Sequence, residues 1–71
     1  MSQAGRELRR WREFRHLSQA QLAERIDSGQ SHISEIETGA TDVCLSTLAR
    51  CFEALGLQLV ITAVPAETES K

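Results

Sequence analysis

The sequence is poor in aromatic residues, cysteine and proline, and each scarcity narrows the classes of protein to which it can belong. Its 71 residues include one Trp, two Phe, no Tyr, two Cys and one Pro. A chain of this length buries one small core and leaves little room for a catalytic cleft, so we do not expect an enzyme. It has no apolar run of membrane-spanning length and no opening signal-peptide pattern, which predicts a cytoplasmic protein without a membrane partner.

The two cysteines and two histidines do not have the spacing of a metal or redox site. Cys44 and Cys51 are seven residues apart on one predicted helix. Their Cα atoms would lie roughly 10 Å apart, which is too far for a disulfide. There is no C-x-x-C pair, and His16 and His32 add no zinc-ligand spacing. The sequence therefore predicts structural thiols, no metal and no cofactor.

Basic side chains are few and unevenly distributed. The net charge of −2 disfavours a nucleic-acid partner. However, residues 1–25 carry six Arg against three Glu, whereas residues 26–71 carry one Arg and one Lys against seven acidic residues. A basic N-terminal helix beside a neutral surface can still contact phosphates. The sequence thus predicts modest non-specific affinity for nucleic acid.

The most informative segment, residues 18–39, has the pattern of two short helices joined by a tight turn. Ser18 and Gln21 have the spacing of a capping box. The apolar side chains of the first helix share one face. Asp27, Ser28 and Gly29 are residue types that favour turns and caps over helix interiors. We therefore expect the second helix to begin directly after this turn.

The second helix of this segment has an unusual outer face. Ile33 and Ile36 face inward, and Gly39 suits a left-handed exit from the helix. The outer face carries short or amide-bearing polar groups and no Lys or Arg: Gln30, Ser31, His32, Ser34 and Glu35. A merely solvated helix would more often carry long charged side chains. Such a face suits the reading of base edges in a major groove.

Two further helices flank this segment. The first runs from about residue 2 or 5 to residue 15, with Leu8 and Trp11 inward. The fourth covers about residues 45–55 and ends at Gly56. The predicted inward face of the fourth helix consists of Leu45, Leu48, Ala49, Phe52 and Leu55.

The chain then changes pattern, because residues 57–64 are rich in β-branched and apolar side chains and Pro65 closes them. Alternation predicts a strand with one face formed by Leu57, Leu59, Ile61 and Ala63. The chain offers this strand no partner, so we expect it to pair with the same strand of a second molecule. A fifth helix is the alternative. Residues 65–71 are predicted to be a disordered tail.

Taken together, these residues resemble the Xre/Cro-type helix-turn-helix proteins of bacteria and their phages. The resemblance runs from about Leu8 to Leu57, and its markers are Leu8-x-x-Trp11-Arg12, Leu17-Ser18-Gln19-x-x-Leu22-Ala23, Ile33-Ser34-x-Ile36-Glu37-x-Gly39 and Leu45-x-x-Leu48-x-x-x-Phe52-x-x-Leu55-Gly56. Asp27 stands where the family usually has Gly, and Gly29 where it often has a hydroxyl cap; the fold tolerates both. The resemblance implies a mainly α, four-helix, lambda-repressor-like domain over residues 1–56 that binds double-stranded DNA in the cytoplasm, associated with the nucleoid.

The C-terminal pattern resembles that of HipB-like antitoxins. This implies a homodimer on an inverted-repeat operator, repression of its own operon, and a HipA-type kinase toxin as a partner. The dimer strand, residues 57–64, would include Leu57, Leu59, Val60, Ile61 and Ala63. Two alternatives stay open, a stand-alone Xre-type repressor and a toxin-neutralising interaction module with little DNA affinity of its own.

The resemblance also implies roles for single residues. Gln30 is the leading base reader, since its amide can bond adenine N6 and N7 together; Ser31, His32 and Ser34 are weaker candidates. Arg12 and Glu37 would form a partly buried ion pair; otherwise they are two solvated charges. Phe14 packs on the C-terminal strand or marks a partner surface, and the sequence does not choose between them. The candidate phosphate contacts are Arg12, Ser18, Gln19 and Thr38.

Overall fold

A computed structural model describes residues 3–63 as four α-helices joined by short turns. They are α1 (Gln3–Phe14), α2 (Gln19–Arg25), α3 (Gln30–Thr38) and α4 (Leu45–Ala54). The predicted mainly α, four-helix architecture is therefore confirmed. Val64 of the predicted strand and the predicted tail, residues 65–71, lie outside the described residues. Between residues 3 and 63, no helix is long and apolar enough to cross a membrane.

Local sequence signals set the bounds of α2 and α3. At the start of α2, Ser18 Oγ accepts from the Gln21 N–H at 3.0 Å, and Gln21 Oε1 accepts from the Ser18 N–H at 2.8 Å. This reciprocal pair completes the predicted capping box. Asp27 adopts a φ of 57° in the turn that follows, and Gly39 ends α3 at a φ of 79°. Both residues therefore occupy the left-handed region that Asp tolerates and Gly favours.

One hydrophobic core joins the four helices, and most of its members come from the inward faces predicted above. Leu45 is a correction, because it was predicted to face inward but is 60% exposed. It is the first residue of α4, and the buried side chains of that helix begin one turn later, at Leu48. The buried core consists of Leu8, Leu22, Ala23, Ile26, Ile33, Ile36, Leu48, Cys51, Phe52 and Leu55.

Two polar contacts fix α2 against α4. Arg25 Nη1 donates to the carbonyl oxygen of Ala54 at 3.0 Å, and Arg50 Nη2 donates to that of Ile26 at 2.6 Å. Each arginine thus bonds a carbonyl at the C-terminal end of the other helix, where backbone acceptors lack intrahelical partners. This arrangement holds the two-helix segment against the rest of the domain.

Residues 57–63 form neither a helix nor an assigned strand. The Leu57 N–H donates to the Phe52 carbonyl at 2.9 Å, and Leu57 and Leu59 pack partly buried against the core. Val60 and Ile61 are 71% and 62% exposed. A fifth helix is thus absent over these residues. The predicted strand would need a second chain to supply its ladder, so within one chain these residues have no sheet to join.

Candidate nucleic-acid interface

The outer side of α3 is polar, and its side chains do not pack into the hydrophobic core. Ile33, Ile36 and Glu37 of this helix are buried. At roughly 100° per residue, these three side chains cover an arc of roughly 100°, and the other side chains except His32 cover the neighbouring arc of roughly 140° from Gln30 to Glu35. We call this surface the outer face of α3, and its exposed or half-buried members are Gln30, Ser31, Ser34, Glu35 and Thr38. The structure therefore places three of the four predicted base readers side by side.

The fourth predicted reader, His32, lies apart from them. It is half-buried, and its Nδ1 is 2.9 Å from Ser28 Oγ in the turn before α3. His32 comes two residues after Gln30, so its side chain is rotated by roughly 200° around the helix axis relative to that of Gln30. His32 therefore faces the α2–α3 turn rather than the direction of Gln30, and Nε2 is the ring nitrogen that the contact with Ser28 leaves open.

A buried ion pair joins α1 to the end of α3. Arg12 Nε lies 2.6 Å from Glu37 Oε2, and Arg12 Nη2 lies 3.1 Å from Glu37 Oε1. The third nitrogen of this guanidinium, Nη1, donates to the Leu17 carbonyl at 2.7 Å. Arg12 is 8% exposed and Glu37 is 2% exposed. With its donors engaged and its surface covered, Arg12 presents little of its guanidinium to a phosphate.

A chain of hydrogen bonds connects this ion pair to the outer face of α3. Gln19 Nε2 donates to Glu37 Oε1 at 3.0 Å, and Gln30 Nε2 donates to Gln19 Oε1 at 3.5 Å. Because a carboxylate only accepts, Gln19 must turn its NH₂ group toward Glu37 and its oxygen toward Gln30. Gln30 is therefore braced by a side chain that is itself fixed from the core. The sequence reasoning missed the Gln19–Glu37 contact, which spans 18 residues and has no periodic signal.

The two hydroxyl groups that were predicted to contact phosphate already take part in hydrogen bonds within the chain. Ser18 Oγ accepts in the capping box of α2, and its hydroxyl proton can still donate to a phosphate. The Thr38 hydroxyl donates to the Ser34 carbonyl at 3.0 Å, and Glu35 O lies 3.4 Å from the same hydroxyl. A phosphate offers acceptors only, so Thr38 must release this internal bond before its hydroxyl can donate to DNA.

Two exposed arginines of α1 are paired with acids on the same helix. Arg9 Nε lies 3.2 Å from Glu13 Oε2, and Arg10 Nη1 lies 3.4 Å from Glu7 Oε2. These contacts are exposed, so each stabilises the helix by roughly 0.3–0.5 kcal/mol at most. They also lower the net positive charge that α1 presents to a polyanion.

Phe14 contacts the aromatic ring of Trp11 on α1. Its ring meets Trp11 edge to face, with centroids 5.5 Å apart and planes at 82°, yet Phe14 stays 66% exposed. Trp11 also lines a groove of about 290 Å³, which runs between α1 and residues 57–60. Phe14 does not line that groove, so residues 57–60 do not cover its ring.

The two thiols differ in environment. Cys44 is exposed, and hydrogen bonds from Ser46 and Thr47 lower its pKa to about 7. Burial raises the pKa of the Cys51 thiol, which belongs to the core. Within residues 3–63, no group of three or more His, Cys, Asp or Glu side chains is placed to hold a metal ion.

Comparison with known proteins adds one finding. A family model described as a helix-turn-helix domain matches residues 3–63, the whole of the described chain. No curated protein matches the sequence significantly.

Proposed function

Since the chain belongs to the helix-turn-helix domain family, we propose that it is a sequence-specific, DNA-binding transcriptional repressor whose α3 enters the major groove. The observation that carries this proposal is the braced Gln30. Its amide lies on a face free of packing and 3.5 Å from Oε1 of Gln19, whose own amide is bonded to Glu37. A side chain ordered before binding loses less conformational freedom when it meets a base.

Replacement of Gln30 tests the proposal. Gln30→Ala should lose about 1–3 kcal/mol of binding free energy on DNA from upstream of its own gene, and little on a scrambled duplex. Gel-shift titrations on both duplexes measure the difference. Gln3→Ala, at the exposed start of α1, is the matched control and should change neither affinity. Equal losses on the two duplexes for Gln30→Ala would show that Gln30 does not read bases.

We further propose that the repressor is a homodimer paired through residues 57–64. Support comes from Val60 and Ile61, two large apolar side chains exposed on a segment that has no strand partner in residues 3–63. Antiparallel pairing with a second copy would supply backbone hydrogen bonds between the strands and would cover the apolar side chains of Val60 and Ile61. Two-fold symmetry would then require an inverted-repeat operator, with half-sites about one helical turn apart or a multiple.

Proline substitution tests the dimer. Val60→Pro or Ile61→Pro should yield monomers that keep their helical circular-dichroism signal, because proline removes a ladder donor. Val60→Thr keeps both the N–H and the β-branch and should remain dimeric. Analytical ultracentrifugation distinguishes these cases. A Pro variant that sediments as the wild-type dimer would rule these residues out as the interface.

The resemblance to HipB-like proteins supports a narrower proposal, that this repressor is the antitoxin of a toxin–antitoxin operon and binds a HipA-type kinase. Co-purification with a kinase-like protein encoded next to it would support this proposal. Absence of such a neighbour would leave a stand-alone repressor. The acidic balance of residues 26–71 favours a second candidate, a neutralising interaction module with little DNA affinity. Binding to upstream DNA no tighter than to scrambled DNA would favour that candidate.

A further inference from the structure

Glu35 places a free carboxylate on the outer face of α3. Its side chain is exposed and has no hydrogen bond or ion pair with any of residues 3–63. The helix contains no Lys or Arg that could neutralise it. By contrast, Glu37 on the buried side of the same helix is fully engaged with Arg12 and Gln19. Glu35 therefore brings an uncompensated negative charge to the surface that meets DNA.

A carboxylate in a major groove is repelled by phosphates and by the acceptors of guanine and thymine. Only the amino groups of cytosine and adenine can donate to it, and in adenine the acceptor N7 lies beside that amino group. Resting on the function proposed above, we infer that Glu35 is a specificity-determining residue that accepts a hydrogen bond from the N4 amino group of a cytosine. The same negative charge lowers the affinity for the other bases at that position, because their acceptor atoms repel it.

The spacing on α3 separates Glu35 from Gln30. Glu35 comes five residues after Gln30, which corresponds to about 7.5 Å along the helix axis and a rotation of roughly 140° around it. The cytosine is therefore a different base from the one read by Gln30, within the same half-site.

The test measures base preference rather than affinity alone. The wild type, Glu35→Gln and Glu35→Ala are titrated against upstream duplexes in which each half-site position carries each of the four base pairs in turn. At one position, the wild type should bind the cytosine duplex at least about tenfold more tightly than the others. Glu35→Gln should shift that preference to adenine, because an amide can bond adenine N6 and N7 together. Glu35→Ala should lose the preference.

Glu53→Gln is the matched control, since it neutralises an exposed glutamate on α4 instead of α3; it should leave every base preference unchanged. If Glu35→Gln instead raises affinity equally for all duplexes, including a scrambled one, the carboxylate only repels phosphate and the inference is overturned. That result leaves the repressor proposal intact, provided Gln30→Ala still separates upstream from scrambled DNA. If the wild type prefers no duplex, the proposed function itself fails.

Discussion

Gly5 shows how a single residue sets the approach of α1 to α3. A Cβ atom at this position would collide with the Ile36 carbonyl oxygen and lie 2.8 Å from that of Glu37. Backbone atoms inside a packed domain cannot move aside cheaply. The two helices therefore pack closely at this point because residue 5 has no side chain.

We expect Gly5→Ala to lower the free energy of unfolding by about 1–3 kcal/mol, because the added methyl forces the two helices apart. Urea denaturation followed by circular dichroism measures the change. Gly29→Ser is the control, since a Cβ there meets nothing within 4 Å and the hydroxyl can cap α3. A Gly5→Ala variant as stable as the wild type would contradict the close approach.

Cys44 and Cys51 should react differently with an alkylating reagent. Thiolate is the reactive form, so a pKa near 7 places the midpoint of Cys44 alkylation near pH 7. Cys51 should stay unmodified in the folded protein, because burial both raises its pKa and blocks access. Mass spectrometry after iodoacetamide treatment over a pH series resolves the two sites.

The donor residues of Cys44 provide the control for this experiment. Thr47→Ala removes one of the two side-chain hydrogen bonds and should move the midpoint upward. Modification of Cys51 at a rate similar to that of Cys44 would mean that the core opens readily near α4.

At the scale of helices, the Arg12–Glu37 pair joins α1 and α3 across 25 residues of sequence. Glu37→Leu should lower the free energy of unfolding by about 3–5 kcal/mol, because it leaves the Arg12 charge buried without its partner. Arg12→Met combined with Glu37→Leu should cost less than Glu37→Leu alone. Thermal melts of the single and double variants give the free energies of unfolding for this double-mutant cycle.

The exposed ion pair of Arg10 and Glu7 on α1 is the control for the buried Arg12–Glu37 pair. Arg10→Met with Glu7→Leu removes a contact whose partners are solvated, so its coupling should stay below about 0.5 kcal/mol. Additive effects at Arg12 and Glu37 would show that their charges do not depend on each other.

The helices could be predicted from sequence because their signals are local. The capping box at Ser18, the turn at Asp27 and the exit at Gly39 each act within a few residues. The exposure of Leu45 depends on where the other helices end, which periodicity does not contain. The left-handed backbone of His16, at a φ of 61°, was also not predicted, although His is among the residue types that tolerate it.

The residues of the candidate site stay a prediction; their placement on α3 could be predicted in part, and their contacts less well. The outer face of α3 follows from helical periodicity and residue type. The placement of His32 against Ser28 and the bond from Gln19 to Glu37 depend on the geometry of the turn and on tertiary packing. The proposed strand pairing at residues 57–64 requires a second chain, so the structure of a single chain does not test it.

For the molecule as a whole, the number of cationic side chains that reach phosphates sets how steeply DNA affinity falls with salt. The candidate phosphate contacts are neutral or, in Arg12, already paired. If two arginines of each copy reach phosphates, log Kobs should fall against log salt with a slope of about −3.6 for a dimer. Fluorescence anisotropy on upstream DNA over a salt series measures this slope.

Arg9→Gln and Arg50→Gln serve as a matched pair for the salt experiment. Arg9 lies on α1 and is free to exchange Glu13 for a phosphate, whereas Arg50 is bonded to the Ile26 carbonyl. Only the first substitution should flatten the slope. A wild-type slope near −8 or steeper would mean that more arginines reach the DNA than this arrangement allows.

The division of α3 into two sides has an evolutionary consequence. Ile33, Ile36 and Glu37 hold the helix in place, while the side chains between them contribute almost nothing to the core. Substitutions on the outer face can therefore accumulate without loss of folding. If the outer face of α3 reads bases as proposed, descendants of one ancestral gene can acquire new operators, and so separate regulatory circuits, while they inherit the same scaffold unchanged.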